Sequence, residues 1–365
     1  MSVLHLPGLF DAHVHLRDPG ATHKEDIASG TRSALAGGIA ALLDMPNNRP
    51  PITSPQRLQA KANGFAQRAV CDYGLFCTYT GGPIAPIVDM APQACGLKLY
   101  LDETFGDILL TDLELLDTLF AAWPGPGPIA IHAAPPMIGW ALQAARRHGQ
   151  SVHICHVPTP DALITVDRAR QAGICATCEI TPHHLFLDDS AERLKGPLAQ
   201  MKPPLLSPPE VARFWRHLDL VDIIASDHAP HTLQEKAGAT PPPGVPGLET
   251  TLPLLLLAVD QDRLDIERLT ELTWHTPLAV YGFDPPPGCG VDVAIDKPYR
   301  FPERGYTTRC DWTPFGGLEG LGRVQRVRIR HATVWENDRL LATPGSGRPL
   351  GRRKANTSIG SGGCP

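Results

Sequence analysis

Short apolar runs alternate with amphipathic stretches over the first two thirds of the chain. The apolar runs are bounded by Gly, Pro or polar residues, as is typical of buried parallel strands, and the strands they predict span residues 10–17, 39–45, 71–80, 96–101, 129–132, 151–157, 174–180 and 221–226. Apolar residues at helical spacing between them predict helices over residues 24–36, 55–68, 110–123, 137–148 and 161–172. Eight strands alternating with helices predict an α/β fold, a (β/α)8 TIM-type barrel.

The alternative is an open, doubly wound parallel sheet, but no Gly-rich phosphate-binding turn follows the first strand. After Asp227 the pattern changes: residues 248–281 are helical in character, prolines follow at 285–287, and residues 290–297 and 323–334 alternate as strands do. We expect a metal-dependent barrel over residues 8–284 and a small β appendage from residues 1–7 and 285–343. A flexible tail is expected over residues 344–365, which are rich in Gly, Ser, Pro and Arg.

Composition excludes several classes of protein. The 365 residues are 42% hydrophobic and 19% charged, as in a globular enzyme. The formal net charge of −5 argues against a nucleic-acid partner, and no apolar run is long enough to cross a membrane. Nine cysteines without regular spacing do not indicate a disulfide framework and favour a reducing compartment. We therefore expect a cytoplasmic protein.

The first predicted strand has two contrasting faces. Its even-numbered positions 10–16 are apolar, whereas the other face carries an acid, two imidazoles and a guanidinium, namely Asp11, His13, His15 and Arg17. Burying such groups without partners costs several kcal/mol each, roughly, so they require a metal, a ligand or partner charges. Two histidines at i and i+2 can reach one metal ion, although a lone His-x-His pair often occurs by chance.

Further polar residues fall at other predicted strand ends, where barrel enzymes carry their active groups. Lys98 lies on the fourth strand, His132 ends the fifth, His156 lies near the end of the sixth and Asp227 follows the eighth. Each alone has an ordinary explanation, such as a core histidine bonded to backbone or a capping aspartate. Together with His13 and His15 they form a ring of N and O ligands suited to Zn²⁺.

Lys98 is the exception in this ring, because an ammonium repels a cation. Burial beside metal ions lowers the pKa of a lysine, and the neutral amine can then attack CO2. The carbamate formed would offer two oxygens and could bridge two ions.

These residues belong to motifs that resemble a known family. The segments HVHLRDPG, MPN, GLKLY, HICHV, TCEITPHHLF and SDHAPHT, together with PPPGVPGLET at 241–250 and WTPF at 312–315, cover nearly the whole chain. They resemble the dihydroorotases of the amidohydrolase superfamily, above all the dihydroorotase domain of the animal multifunctional pyrimidine-biosynthesis protein.

The resemblance implies a metal centre with two zinc ions. One ion would be held by His13, His15, carbamylated Lys98 and Asp227, and the other by Lys98, His132 and His156. Cys155 and Glu179 match residues associated with a third zinc in the animal-type domain. An equal alternative for Cys155 is a small buried apolar side chain beside a ligand strand.

The resemblance also implies the substrate contacts. Arg17, Asn47 and His231 match the residues that bind the dihydroorotate carboxylate, and a guanidinium and an amide suit that role. The alternative for Arg17 is an ion pair with Asp11 or Asp18. Residues 102–107 correspond to a loop that closes over substrate, with Thr104 and Phe105 as contacts.

Three positions depart from the family pattern. Ala134 stands where relatives usually carry Glu, Lys202 where the animal-type domain has Arg, and Asp102 where Asn is usual. None is a predicted metal ligand, so we expect activity, with an effect of these departures on substrate affinity.

The implied function is the zinc-dependent, reversible cyclisation of N-carbamoyl-L-aspartate to L-dihydroorotate in pyrimidine biosynthesis, with Asp227 as the catalytic acid and base. One alternative is another cyclic amidohydrolase, of hydantoinase or allantoinase type. The other is a catalytically weak scaffold partner of aspartate transcarbamoylase. Association with that enzyme and a homodimer are also compatible with an active protein.

Overall fold

A computed structural model describes residues 2–103 and 108–353. The strands are β1 Ser2–Leu6, β2 Leu9–Val14, β3 Ile39–Asp44, β4 Asp72–Leu75, β5 Cys77–Thr78, β6 Leu97–Tyr100, β7 Ile129–His132, β8 Val152–Ile154, β9 Ala176–Ile180, β10 Ile223–Ile224, β11 Gly290–Ile295, β12 Tyr299–Arg300, β13 Glu319–Gly320, β14 Arg323–Ile329, β15 Ala332–Glu336 and β16 Arg339–Leu340. The helices are α1 Ile27–Ala36, α2 Pro55–Arg68, α3 Ala85–Met90, α4 Leu113–Ala122, α5 Pro135–His148, α6 Pro160–Gln171, α7 Pro182–Phe186, α8 Asp189–Lys195, α9 Pro208–Arg216, α10 Leu233–Lys236, α11 Thr251–Asp260, α12 Ile266–Thr270 and α13 Thr276–Val280.

The strands β2 to β10 form a closed parallel barrel. The segments β2, β3 and β4 pair in order, and β5 to β10 pair in order. Two joints close the ring: the amide of Cys95 donates to the carbonyl of Leu75 at 2.8 Å, and the amide of His15 donates to the carbonyl of His228 at 2.8 Å. Because β4 and β5 are two parts of one strand, the ring has eight strands. The predicted (β/α)8 barrel is confirmed.

Helices begin where the sequence supplies caps. Ser54 accepts a hydrogen bond from the amide of Arg57 at the start of α2, and Thr159 does the same for Ala162 at the start of α6. The helices bury their apolar side chains, such as Leu58 and Leu163, against the strands. This layer holds the barrel in one shape, so that the carboxyl ends of the strands meet at one mouth.

An antiparallel sheet lies beside the barrel. Its strand order is β1-β11-β14-β15-β16, so the N-terminal strand joins strands from residues 290–340. The segment between β12 and β13 behaves differently. Phe301, Trp312 and Phe315 pack with Met201 and Leu205 of the insertion between β9 and β10 in a second apolar cluster. This part of residues 285–343 therefore packs against the barrel's β9–β10 insertion.

The flexible-tail prediction from residue 344 is incorrect for residues 344–353. The amide of Leu350 donates to Tyr73 at 2.8 Å, and the amide of Tyr73 donates to Arg348 at 3.0 Å. Composition suggested a linker, but this backbone completes the hydrogen bonding beside β4. Residues 354–365 lie outside the described part of the chain. Within the described residues, the helices are all too short or too polar to cross a membrane.

Candidate metal centre and active site

The predicted histidines and acids converge at the mouth of the barrel. His13 and His15 follow each other along the end of β2, and their ring centroids are 5.2 Å apart. The ring of His156 lies 5.2 Å from His13 and 4.7 Å from His132. All four imidazoles are buried. Their common position follows from the parallel strands, which end at one edge.

Backbone strain marks three of these positions. Arg17, His156 and Asp227 have φ angles of 59°, 30° and 43°, in the left-handed region that side chains other than glycine rarely adopt. Such conformations cost about 1–3 kcal/mol each and persist where the surrounding structure imposes them. Here they direct three polar side chains toward one cavity, which is lined by them together with His13, His15, Asn47, Lys98, Tyr100, His132 and Lys202.

Asp227 lies between the histidines of the first strand. Its Oδ1 is 3.1 Å from Nε2 of His15 and 3.4 Å from Nε2 of His13. Ligand atoms of His13, His156 and Asp227 lie within 4.8 Å of one another, close enough for a single ion. Burial raises the pKa of Asp227, although the attraction of His13 opposes this.

The imidazoles have the protonation state that a metal requires. Burial lowers the pKa of His13, His15 and His156, and burial together with the charge of Lys98 lowers the pKa of His132 to about 3. They are therefore neutral at pH 7 and keep a lone pair for an ion. Nδ1 of His132 lies 2.9 Å from Nε2 of His156.

Lys98 is buried in the middle of this group. Its side chain lies on β6 with no exposed surface, and its Nζ has no hydrogen-bond partner in the described structure. The nearest aromatic ring is that of Tyr100, whose centroid is 5.3 Å from Nζ. A buried amine without a partner costs free energy. Together, the neutral imidazoles and the carboxylate fit a divalent metal ion.

Glu179 is a buried hydrogen-bond acceptor for three histidine residues near the candidate metal site. It accepts hydrogen bonds from Nδ1 of His13, from Nε2 of His153 at 3.1 Å and from the amide of His156 at 3.2 Å. Burial opposes its charge, but the attraction and hydrogen bonds of His13 and His153 together outweigh burial and hold its pKa well below the usual range. Glu179 thus keeps its negative charge inside the barrel.

Cys155 completes a second group that could hold an ion. Ligand atoms of His13, Cys155 and Glu179 lie within 4.8 Å of one another. Burial raises the pKa of the Cys155 thiol to about 12, so an ion would have to displace its proton. The structure is compatible both with a ligand and with a buried apolar side chain at this position.

Arg17 and Asn47 line the cavity, and His231 is buried beside Arg17. Nη2 of Arg17 is 3.3 Å from Nε2 of His231, and Nε of Arg17 donates to the carbonyl of Pro230 at 3.3 Å. The Oδ1 atom of Asn47 accepts from Nδ1 of His15 at 2.7 Å, which leaves the amide nitrogen of Asn47 as a donor. The structure therefore gathers N–H donors here, as an anion site requires.

The two carboxylates that are alternative partners of Arg17 contact other groups. Asp18 pairs with Arg68 at 2.7 Å. Asp11 accepts from the amides of His13 at 3.2 Å and Ser226 at 3.1 Å.

The remaining predicted positions lie around the cavity. Lys202 lines it and is 3.2 Å from Glu103. Asp102 accepts from the amide of Glu103 at 2.8 Å, and Ala134 precedes α5 without a side-chain cap. Thr104 and Phe105 fall outside the described residues.

Sequence reasoning missed several buried groups that surround the ligands. They are His153, which donates to Glu179; Tyr100, whose buried hydroxyl has no hydrogen-bond partner in the described structure; and Lys24, which contacts His231. His153 and Tyr100 lie two residues from Cys155 and Lys98 on the same strands, so the two-residue period could have indicated them. Only tertiary contact identifies Lys24.

Comparison with known proteins finds relatives over nearly the whole chain. Residues 4–89 match the model of the amidohydrolase family. The chain is 33% identical to a dihydroorotase from Pyrococcus furiosus, with 98% of this chain and 87% of that protein covered. It is also 38% identical to the multifunctional protein CAD of Squalus acanthias over 95% of this chain, but it spans only 16% of that protein's length.

A solved structure supports the same architecture. The L-hydantoinase from Arthrobacter aurescens superimposes with a TM-score of 0.90, at 23% identity, with 96% of this chain and 89% of that chain covered. At this identity the similarity shows the barrel fold alone.

Proposed function

The chain belongs to the dihydroorotase family of the amidohydrolases, and on this premise we propose that its buried cluster interconverts N-carbamoyl-L-aspartate and L-dihydroorotate at a two-zinc centre. The protein is a cyclic amide hydrolase. The observation that carries the proposed site is the convergence of neutral imidazoles, Asp227 and the unpartnered amine of Lys98 at one mouth of the barrel.

The ligands divide into two sets that share Lys98. We propose that His13, His15 and Asp227 would hold one zinc ion, that His132 and His156 would hold the other, and that Lys98 as its carbamate would serve as a ligand in both sets. The carbamate forms when the neutral amine adds to CO2 and releases a proton. When bound, zinc polarises a carbonyl and supplies a water-derived nucleophile near neutral pH, since it lowers the pKa of water to about 7.

The rim donors orient the substrate. A carboxylate placed against Arg17, Asn47 and His231 would accept hydrogen bonds from all three, and burial strengthens these bonds. This contact fixes the ring amide relative to Asp227. It also distinguishes dihydroorotate from hydantoin and allantoin rings, which lack that carboxylate.

Asp227 carries the proton in both directions. In hydrolysis its carboxylate accepts a proton from the attacking water and delivers it to the ring nitrogen as the C–N bond breaks. Cyclisation reverses these steps and starts from the protonated acid.

The direct test measures both directions over a range of pH. Hydrolysis requires ionised Asp227, so its kcat/KM should fall as pH drops through the pKa of this group. Cyclisation requires the acid, so its rate should fall as pH rises. Profiles with the same slope in both directions would contradict the role of Asp227, and a preference for hydantoin or allantoin over dihydroorotate would contradict the substrate.

The assembly is a separate proposal. We propose that the chain acts in the cytoplasm as a homodimer or in association with aspartate transcarbamoylase. The region matched in the shark protein lies within a longer multifunctional chain, which motivates the second form. Mass measurement of the protein alone and mixed with the transcarbamoylase distinguishes the two.

A further inference from the structure

The buried face of α2 contains a lysine. The buried side chains of this helix are Leu58, Lys61 and Phe65, which recur at the spacing of one helical face. An apolar residue is usual at such a position, because burying an ammonium without partners is costly. Lys61 is nevertheless only 2% exposed. Its partners inside the protein therefore indicate what it does.

All three donors of this ammonium go to one turn. Nζ of Lys61 lies 2.7 Å from Oδ2 of Asp44, donates to the carbonyl of Met45 at 2.8 Å and donates to Oδ1 of Asn48 at 2.9 Å. An ammonium has three N–H groups and no acceptor, so these three acceptors satisfy it. The helix α2 thereby holds the end of β3 and the residues after it at three points.

The turn that Lys61 holds carries Asn47. This residue lies between the second and third contact points of Lys61, and it lines the cavity. Its Oδ1 accepts from Nδ1 of His15 at 2.7 Å, which leaves the amide nitrogen as a donor. Lys61 is not among the described residues that line the cavity. Any effect of Lys61 on a bound molecule must therefore pass through this turn.

The same turn is bonded to the end of β2. Oδ1 of Asp44 accepts from the amide of Leu16 at 2.8 Å, and the amide of Met45 donates to the carbonyl of Val14 at 2.8 Å. Lys61 supplies the positive charge beside the carboxylate that makes the first of these bonds. Removal of the ammonium would leave that carboxylate buried without its partner charge, and the turn would lose its link to α2.

We propose that Lys61 is a positioning residue for substrate binding: it fixes the turn after β3 so that the amide nitrogen of Asn47 is held in place for the substrate carboxylate. This inference rests on the proposed function, in which Asn47 is one of the carboxylate donors. It gives a residue in the middle of a barrel helix, outside the cavity, a part in substrate affinity.

The first test is Lys61→Met, which keeps an unbranched side chain but removes all three donors. We expect KM for dihydroorotate to rise about tenfold, because a hydrogen bond to a charged carboxylate is weakened. We expect kcat to stay within about threefold of wild type, because the proton carrier Asp227 is not touched. An unchanged KM, or a fall in kcat alone, would overturn the proposal.

A double-mutant cycle with Asn47→Ala tests whether Lys61 acts through Asn47. In the Asn47→Ala background there is no amide left to position, so Lys61→Met should change KM by less than about twofold. A purely structural role would instead give the same change in both backgrounds. An equal rise in KM with and without Asn47 would therefore overturn the proposal.

A charge pair at the start of the neighbouring strand β4 provides the matched control. Asp72 is 3% exposed, contacts Arg330 at 2.6 Å and accepts from the amide of Arg348 at 2.9 Å, much as Asp44 contacts Lys61 and accepts from a backbone amide. It lies at the amino end of its strand, away from the mouth. Arg330→Met should leave KM unchanged. A rise equal to that of Lys61→Met would indicate general destabilisation and overturn the proposal.

Thermal unfolding shows whether each variant is folded. If Lys61→Met does not fold, its combination with Asp44→Asn removes the unpaired buried carboxylate. The same rise in KM is expected there, because Met45 and Asn48 still lack their donor. A folded double variant with the KM of wild type would contradict the role of Lys61.

Binding of malonate, a simple dicarboxylate, does not depend on turnover. Calorimetry with zinc-loaded protein should show about tenfold weaker binding to Lys61→Met and unchanged binding to Arg330→Met. Equal binding to the two variants would overturn the proposal. If Lys61→Met weakens malonate binding in this way but wild-type protein does not convert dihydroorotate, the proposed function fails while the role of Lys61 stands.

Discussion

Aspartates in two regions of the molecule respond to their surroundings in opposite ways. In the antiparallel sheet, Asp292 accepts from Arg328 at 2.7 and 2.9 Å and lies 2.8 Å from His5. The hydrogen bonds of Arg328 exceed the effect of burial and lower the pKa of Asp292 to about 2. At the barrel mouth, burial raises the pKa of Asp11 to about 7 and also raises that of Asp227.

The sheet and the barrel mouth differ in the positively charged groups that face each carboxylate. The sheet brings guanidinium groups to its own carboxylate, so its charges are satisfied within the protein. At the mouth, burial raises the pKa of Asp227 more than the attraction of His13, Lys98 and Arg17 lowers it. A metal cation would add attraction for a carboxylate in that environment.

The largest effect is expected from Asp227. Asp227→Asn keeps the shape of the side chain but removes its capacity to carry a proton. We expect kcat to fall about 10²–10⁴-fold in both directions. Elemental analysis and thermal unfolding establish whether the variant still holds metal and is folded. A folded, metal-loaded variant with a rate within tenfold of wild type would contradict the assignment.

Lys98→Met should separate stability from function. The variant replaces an unpartnered buried amine with an apolar side chain of similar length, so the metal-free protein should gain about 1 kcal/mol or more in free energy of unfolding. The same change removes the carbamate and should reduce both zinc per chain and turnover. Urea unfolding of metal-free samples and elemental analysis give the two numbers. Full zinc content with full rate would refute the bridging carbamate.

Glu179→Gln should have an intermediate effect. The carboxylate orients His13 and His153 together, and loss of such an outer partner costs about 10–100-fold in metal affinity. Competition with a chelator measures the change. Cys155→Ser is the matched variant, because it alters the same pocket but leaves these hydrogen bonds in place; we expect a smaller change in rate. A larger effect for Cys155→Ser would assign the thiol a main role in metal binding.

The sequence could predict those site residues that sit on strands. His13, Lys98 and His132 follow from the period of a strand and from the rule that strand ends share one barrel mouth. Glu179 came only through family resemblance, since nothing in its own segment links it to His13, 166 positions away. Lys24 is 207 positions from His231, and no local pattern could join the two.

Residues 344–353 show that the fold, too, could be predicted only in part from the sequence. Residues 344–353 have the composition of a linker, yet backbone amides there donate to Ala69 and Tyr73. Backbone pairing of this kind depends on where the neighbouring strand has unpaired N–H and C=O groups, and amino-acid composition does not encode their positions. The barrel itself was predictable because periodicity repeats over many residues.

The smallest effect is expected from the sheet aspartate. The folded-state pKa of Asp292 is about 2, below the ordinary value of 3.8, so its ionised form stabilises the fold above about pH 4 and this contribution is lost as pH falls toward 2. Arg326 and Arg328 are partly exposed, with 44% and 32% of their side chains accessible. Solvent therefore screens the interaction, and its contribution to the free energy of unfolding should stay below about 1 kcal/mol.

Asp292→Asn should therefore destabilise the protein slightly at pH 6, and the difference in stability from wild type should shrink near pH 2.5. Dihydroorotase activity at pH 7 should stay unchanged. If unfolding curves showed the same difference at both pH values, loss of packing would explain the effect better than loss of charge.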